Sequence, residues 1–367
     1  MKIAFFTDTY KPQVNGVVTS IDLFADELRK NGHEVHIFCP KGDKTPKSKY
    51  IHPLISFKFR PYPEYRIGFP SLKIMKIIKD IEPDIIHIHG PASVGLLGLS
   101  VAKYMRVPIV MTYHTFVTDY VHYLSKRKFI EKYNKKMVKK YTKWFFNRAD
   151  LIITPSTPIK RILRRYGIKK PIEVLPTGIK IKNTKRTEKF KKPAILHVGR
   201  VTKEKRIDSV IKAFKKISQK IDANLIITSD GPYRKNLEDL VRKMELEKNV
   251  KFTGYISDEK IIELYKKSYV LVCASRTETQ GLIVLEAMAY GCPVVVSNRL
   301  GFKDFVKDEE NGLLFNKDSE IPEKILRILN DPKLRKEIIK NGYATAREYS
   351  IESCAKKLEN LYRGLMI

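Results

Sequence analysis

Short unbroken apolar runs and longer stretches with an apolar residue every three to four positions succeed one another along the whole chain. The runs are filled without alternation by β-branched and aromatic residues, as in strands buried on both faces. They fall at Lys2–Thr7, Glu34–Cys39, Ile85–His89, Ile109–Tyr113, Leu151–Thr154 and Glu173–Leu175. A second series follows at Ala194–Val198, Asn224–Thr228, Val250–Thr253, Tyr269–Ala274 and Val294–Ser297, with Asn311–Phe315 as a short last strand. Helical spacing marks Val17–Lys30, which Asn31-Gly32 ends, then Ser71–Ile81, Ser93–Tyr104, Arg127–Asn147 and Pro158–Tyr166. Three more helices close the chain, the last over Ile351–Gly364. This alternation predicts an α/β protein of two doubly wound, Rossmann-like domains that face each other across a cleft.

The charged segment Lys180–Lys192 has the composition of an interdomain linker. The expected division is therefore 1–180 and 181–349, with the terminal helix, 350–367, crossing back to the first domain. Lys41–Pro70 is rich in Pro, Tyr, Phe and Lys and shows no clear periodicity, so it reads as a long loop of the kind that is commonly functional.

Charge changes the picture. With 71 Lys and Arg against 40 Asp and Glu, the formal net charge is +31. A charge of that sign attracts anionic partners such as phosphorylated ligands, nucleic acid or an anionic membrane surface. A Lys-rich composition with only Gln13, Gln219 and Gln280 as glutamines would equally suit a hot-growing organism. Lys126–Arg148 holds ten Lys or Arg and a single Glu, with Ile130, Tyr133, Met137, Tyr141 and Trp144 on one helical face. Lys41–Lys79 holds ten more basic residues among several aromatics. Such faces either pack on a sheet, leaving the lysines solvated, or meet a bilayer. Nothing resembles a nucleic-acid-binding signature, so no specific nucleic-acid partner is expected. The longest mainly apolar run, Val94–Ala102, is too short to span a bilayer, and the N-terminal run is a strand rather than a signal peptide. The expected location is cytoplasmic, peripheral on the inner face of the cytoplasmic membrane. Cys39, Cys273, Cys292 and Cys354 form no Cys-x-x-Cys pair and read as buried thiols.

The candidate chemistry centres on Ala274–Gly291. Glu278 falls in a strand-to-helix turn and Glu286 in the helix that follows. Between them Gly281 leaves the free N–H groups of the helix start open to an anion. A carboxylate repels phosphate but accepts hydrogen bonds from sugar hydroxyls. A nucleotide sugar satisfies both demands, with its diphosphate at the helix end and one glutamate each for ribose and sugar.

Three other stretches sit at strand ends, where open parallel sheets bind ligands. They are Asp8–Gly16 with Asn15, His114-Thr115, and Gly199-Arg200 through Lys205. Arg200 and Lys205 are placed to balance a diphosphate. Gly16 lets a helix start approach the same phosphates or simply opens its helix, and His114 is either a site group or a hydrogen-bonded structural histidine. His87 and His89 share a strand face, but no acidic partner at ligand spacing and no Asp-x-Asp accompany them, so they read as core or cleft histidines. No Gly-x-Gly-x-x-Gly, Walker loop or Gly-x-Ser-x-Gly turn occurs, so neither NAD, ATP nor a serine nucleophile is indicated.

The chain resembles the large retaining glycosyltransferase family 4, of the two-domain GT-B type. The resemblance rests on Glu278-x7-Glu286 with the following Ala-Met-Ala-Tyr-Gly, Gly199-Arg200 with Lys205, Asn15-Gly16-Val, Val174-Leu-Pro-Thr-Gly178 and Asn311-Gly-Leu-Leu-Phe. It implies that Glu286 holds the ribose, Glu278 the donor sugar, and the backbone of Leu282 and Ile283 the diphosphate, with Arg200 and Lys205 balancing its charge. Thr279, Gln280 and Gly281 belong to the same donor loop, and Ile256, in the Gly254-Tyr255-Ile256 turn, lies where such proteins hold the base. Gly16 closes over the phosphates, while Asn15, His114, Asp119 and Tyr120 lie on the acceptor side, His114 near the reacting carbon. It further implies transfer with retention by front-face attack, in which the leaving phosphate takes the acceptor proton, and no metal or other cofactor.

Within the family, Thr112–Tyr123 and Asp150–Gly178 look most like enzymes that glucosylate diacylglycerol; phosphatidylinositol mannosyltransferases share much of the pattern. The expected reaction is hexose transfer from a nucleotide-diphosphate sugar, UDP-glucose favoured, to a membrane lipid such as diacylglycerol. Alternatives are a soluble acceptor, GDP-mannose as donor, or a non-catalytic protein that binds by charge.

Overall fold

The computed structural model describes the whole chain except residues 14, 60–65, 115–127, 184–186, 279 and 367, and the side chains of 128–135. It forms two compact units, Met1–Gly178 with Ile351–Ile367, and Ile179–Ser350.

The first unit is built on an eight-stranded sheet. Its strands are β1 (Lys2–Phe6), β2 (Glu34–Pro40), β3 (Ile51–Lys58), β4 (Arg66–Phe69), β5 (Ile85–Ile88), β6 (Ile109–Thr112), β7 (Leu151–Thr154) and β8 (Ile172–Val174). They lie in the order β4-β3-β2-β1-β5-β6-β7-β8, all parallel except the β3–β4 pair. The helices are α1 (Gly16–Lys30), α2 (Leu72–Ile81), α3 (Ser93–Met105), α4 (Lys128–Phe146) and α5 (Thr157–Arg165). Central strands are mainly apolar because both faces are covered: Ile3, Ala4, Phe5 and Phe6 of β1 are all buried. The terminal helix α12 (Ile351–Arg363) joins this unit. Its Ile351, Cys354, Ala355, Leu358 and Tyr362 fall on one face and pack in one cluster with Ile21, Phe24 and Leu28 of α1.

The expected loop over Lys41–Pro70 is instead a β-hairpin, β3 and β4, and the correction has a physical cause. The hairpin packs one face inward through buried Leu54 and Gly68, where a Cβ would come 2.8 Å from Val94 of α3. The opposite face carries the cross-strand pairs Ile55–Phe69 and Phe57–Ile67. These four are 56%, 47%, 65% and 38% exposed. Ser56 and Lys58 share the side of buried Leu54 while Ile55 and Phe57 face outward, so the alternation that would identify a half-buried strand is inverted.

The second unit is a parallel sheet of β9 (Ala194–His197), β10 (Asn224–Ile227), β11 (Val250–Phe252), β12 (Val270–Cys273), β13 (Val294–Ser297) and β14 (Leu313–Phe315), ordered β11-β10-β9-β12-β13-β14. Around it lie α6 (Ile207–Ser218), α7 (Arg234–Lys243), α8 (Asp258–Lys267), α9 (Leu282–Ala289), α10 (Ile321–Asn330) and α11 (Pro332–Glu348). The chain leaves β9 toward β10 on one side and returns to β12 on the other. The crevice where strand order reverses therefore lies between the ends of β9 and β12. The segment of linker composition is laid along this unit: Lys189 Nζ donates to the carbonyls of Ser268 at 2.5 Å and Gly291 at 3.4 Å, and Phe190 N–H donates to the Lys267 carbonyl at 3.1 Å.

Candidate active site

At the β9–β12 reversal, two loops converge. The loop after β9 starts at Gly199, φ +138°, and ends in a short 3-10 turn, Lys203–Lys205. It is backed by the β10 side, where Val201 N–H donates to the Asp230 carbonyl at 3.0 Å. The loop after β12 carries Glu278, whose carbonyl accepts from Gly301 N–H at 3.1 Å. The Lys205 ammonium and the Glu278 carboxylate meet in an ion pair, both largely shielded from solvent. Burial opposes the Lys205 charge, but the Glu278 carboxylate and its hydrogen bond outweigh that and raise the Lys205 pKa. Arg200, in the same loop, is exposed and has no ion pair among the described residues.

Gly281 adopts φ +84° and opens α9. A Cβ there would press on the buried Phe302 ring, 3.0 Å from Cδ1 and nearer still to Cε1, so glycine is required by both conformation and space. It leaves the N–H groups of Leu282 and Ile283 at a helix start with no side-chain cap, where they can donate to an anion. Gln280 is buried beside it. Glu286, four residues into the helix, accepts a hydrogen bond from Tyr265 Oη at 3.1 Å. Burial raises the Glu286 pKa, and the Tyr265 bond partly opposes the rise. Tyr265 is fully buried on α8, so it fixes one oxygen of Glu286 and leaves the other available. Ile256 is half-buried in the turn after β11, where Gly254 has φ +66°.

In the first unit, Asn15 is the N-cap of α1: its Oδ1 accepts from Val17 and Val18 N–H at 3.0 and 3.1 Å. Its Nδ2 donates to Thr9 Oγ1 at 3.2 Å, so a cap explains this residue by itself. Gly16 follows, and a Cβ on it would meet nothing within 4 Å. Asp8, at the end of β1, accepts from the N–H groups of Ala92 and Val94 at 2.8 Å each, fixing the start of α3. His114, just past β6, pairs its Nε2 with His89 Nδ1 at 2.9 Å, and the two rings stack. Burial pushes the His114 pKa down to about 4 and holds His89 well below the usual histidine range, so both rings are neutral at physiological pH. His87 is engaged from both nitrogens, by Tyr362 Oη of α12 and Thr112 Oγ1, each at 2.6 Å. His87 and His89 are thus buried, hydrogen-bonded core histidines, and His89 orients His114.

Thr279, Asp119 and Tyr120 lie outside the described residues, as does much of the acceptor-side segment after His114. The structure brings Lys205 to Glu278 and aligns Gly281, Leu282, Ile283 and Glu286 along one helix start. Two orienting partners escaped the sequence reading. Tyr265 carries a hydroxyl on the otherwise apolar inner face of α8, a signal that was available. The pairing of His89 with His114 crosses between strands and has no local signal.

Comparison with known proteins fits this geometry. The Glycosyltransferase Family 4 description matches residues 14–183, and the Glycosyl transferases group 1 description matches residues 179–345. An alpha-monoglucosyldiacylglycerol synthase of Streptococcus pneumoniae is 30% identical over all of this chain and 86% of its own length. A GDP-mannose-dependent alpha-mannosyltransferase of Mycolicibacterium smegmatis is 26% identical over 87% of this chain and 85% of its own. The crystal structure of Anabaena HepE in complex with UDP superposes with a TM-score of 0.77 over the full length of both chains at 17% identity. The chain belongs to the family 4 glycosyltransferases and is a glycosyltransferase of the two-domain GT-B fold.

Proposed function

We propose that this enzyme is a retaining hexosyltransferase that moves glucose from UDP-glucose to a membrane lipid acceptor, diacylglycerol, at the inner face of the cytoplasmic membrane. The donor half rests on the second unit. The N–H groups at the start of α9 and the cations Arg200 and Lys205 suit a diphosphate, Glu278 suits sugar hydroxyls, and Glu286 suits the ribose. In the first unit, taken by itself, Gly16 leaves the start of α1 unobstructed, and the neutral His114 can accept or donate a hydrogen bond without adding charge. With retention by front-face attack, the acceptor hydroxyl displaces the nucleotide from the same face, and the leaving phosphate oxygen takes its proton. No further side chain is then needed as base.

The lipid half is carried by one observation, the outward apolar face of the β3–β4 hairpin. Ile55, Phe57, Ile67 and Phe69 form a contiguous patch, and the chain runs from Phe69 to Leu72, itself 92% exposed, and then Lys73 and Lys76. Apolar side chains bordered by lysines suit insertion beneath anionic headgroups, where each cation contributes about 1 kcal/mol. Among the described residues no helix is long and apolar enough to cross a membrane. Full-length similarity to a diacylglycerol glucosyltransferase supports the same reading.

The test combines transfer from radiolabelled UDP-glucose to diacylglycerol with sedimentation on liposomes of increasing anionic-lipid content. Binding that rises with anionic lipid and falls with salt, together with a labelled glycolipid, is the expected result. Transfer only to soluble acceptors, with no liposome binding at low salt, overturns the lipid half. The relationship to GDP-mannose-dependent enzymes favours one second reading, GDP-mannose as donor, which the same assay resolves by exchanging the labelled nucleotide.

A further inference from the structure

Asp318 stands at the start of a short 3-10 turn between β14 and α10, outside every motif that marks the donor loops. Its two carboxylate oxygens face different partners. Oδ2 accepts from Ser209 Oγ at 2.6 Å and forms an ion pair with Arg206. Oδ1 accepts from Arg276 Nη2 at 3.1 Å. Arg206 directly follows Lys205, and Arg276 lies two residues before Glu278. One carboxylate therefore grips both loops that meet in the Lys205–Glu278 pair.

Arg206 adds a second observation. It is the residue at which the turn carrying Lys205 passes into α6, and it does so with φ +54°, a left-handed conformation that side chains disfavour. Its guanidinium is fixed by Asp318 and also donates to Ser209 Oγ at 3.2 Å, closing a ring of three side chains around the strained residue. Strain of this kind persists where surrounding contacts over-determine it. We infer that Asp318 is a positioning residue for the donor site, holding the Arg206 turn and the Arg276 strand end so that Lys205 and Glu278 stand in register for the nucleotide-sugar diphosphate.

The inference rests on the reading of Arg200, Lys205 and Glu278 as the donor site, and the test separates the two. UDP and GDP binding are measured by calorimetry, with the thermal midpoint recorded beside them, for the parent and for Asp318→Ala, Arg276→Gln, Arg206→Gly/Asp318→Ala and Lys205→Ala. Asp318→Ala is expected to weaken binding of the favoured nucleotide about tenfold, the scale of loss that small misplacements of a binding group produce. Arg276→Gln, at a side chain 42% exposed, is expected to keep its thermal midpoint close to the parent's and to move affinity in the same direction. Glycine at 206 adopts the left-handed turn without help, so the double variant recovers the share of affinity that the Arg206 turn contributes, while the share carried by Arg276 stays lost. A purely structural carboxylate would lower the thermal midpoint of Asp318→Ala while leaving nucleotide affinity and the Arg276→Gln variant unchanged, and that result overturns the proposal. If Asp318→Ala does not fold, Arg276→Gln alone decides in the same way. Full binding by Lys205→Ala, or no binding of either nucleotide by the parent, removes the donor-site reading and this inference with it.

Discussion

Replacing Gly281 by alanine perturbs the donor loop at a point where two independent penalties add. The residue sits at φ +84°, where a side chain costs about 1–2 kcal/mol. The new methyl also meets the ring of Phe302, which is wholly buried and cannot swing into solvent, and overpacking of that kind costs about 1–3 kcal/mol. The sum is about 2–5 kcal/mol, a large part of the ~5–15 kcal/mol that holds an ordinary domain folded. At about 2–4 °C per kcal/mol for a domain of this size, the melting midpoint should fall by about 4–20 °C. The assay is scanning calorimetry of parent and variant, run without and with UDP. Shrinking the ring by Phe302→Leu in the same background should return part of the loss, because only the steric share is relieved. If Gly281→Ala melts within a degree of the parent and keeps its response to UDP, the tight turn at the start of α9 is not what shapes the site.

Glu278→Gln and Lys205→Ala should each lower glycosyl transfer by at least about a hundredfold, the loss seen when a group contacting the reacting charge is removed, measured by initial rates. In UDP binding the two should couple, because Lys205→Ala leaves an unpaired carboxylate beside the diphosphate that Glu278→Gln removes; a double-mutant cycle with purely additive losses would contradict this. Acid should destabilise the protein through its neutral histidines. His197, buried beside the Val272 carbonyl, and His114 have folded pKa values pushed to about 4 from the usual 6.5. The unfolded chain then binds more protons between those values, so stability is full above pH 6.5 and declines as pH falls toward 4, which denaturant titrations across that window check. Exchanging Phe57 and Phe69 for serine should weaken binding to anionic liposomes while leaving the melting midpoint within about 2 °C, since exposed positions carry little of the fold.

The strands buried on both faces were legible because apolar residues dominate them, as in Val294–Val296 of β13. Position at strand ends singled out Lys205 and Glu278, and the structure pairs the two. The hairpin was illegible for the opposite reason. The side of β3 that holds buried Leu54 also holds His52, Ser56 and Lys58, Ile55 and Phe57 face outward, and Pro53 sits within the strand, so its alternation points the wrong way for a buried face. Asp318 was hidden by distance, since its partner Arg206 lies 112 residues earlier and an aspartate near a helix start reads as ordinary helix chemistry. Asn15 shows that position alone does not separate roles: it sits at a strand-to-helix turn, where its Oδ1 caps α1.

A donor site for a nucleotide sugar has to place acceptors for hydroxyl groups within reach of a dianion, and those demands conflict. Carboxylates bind hydroxyls strongly, yet an unpaired one near a diphosphate repels it, and at an effective dielectric near 20 two charges 4 Å apart interact by about 4 kcal/mol. In the proposed donor site the Lys205–Glu278 pair would resolve the conflict before the donor arrives, because the lysine neutralises Glu278 while its remaining N–H groups can turn to phosphate. Glu286 is handled differently: burial raises its pKa, and the Tyr265 hydroxyl stabilises the charge instead of a cation. The two glutamates, alike in sequence, are thus set apart by their surroundings, one ion-paired at the phosphate end of the helix and one hydrogen-bonded a turn further on. That difference should make Glu278 sensitive to loss of Lys205 and Glu286 indifferent to it, whichever parts of a donor the two contact.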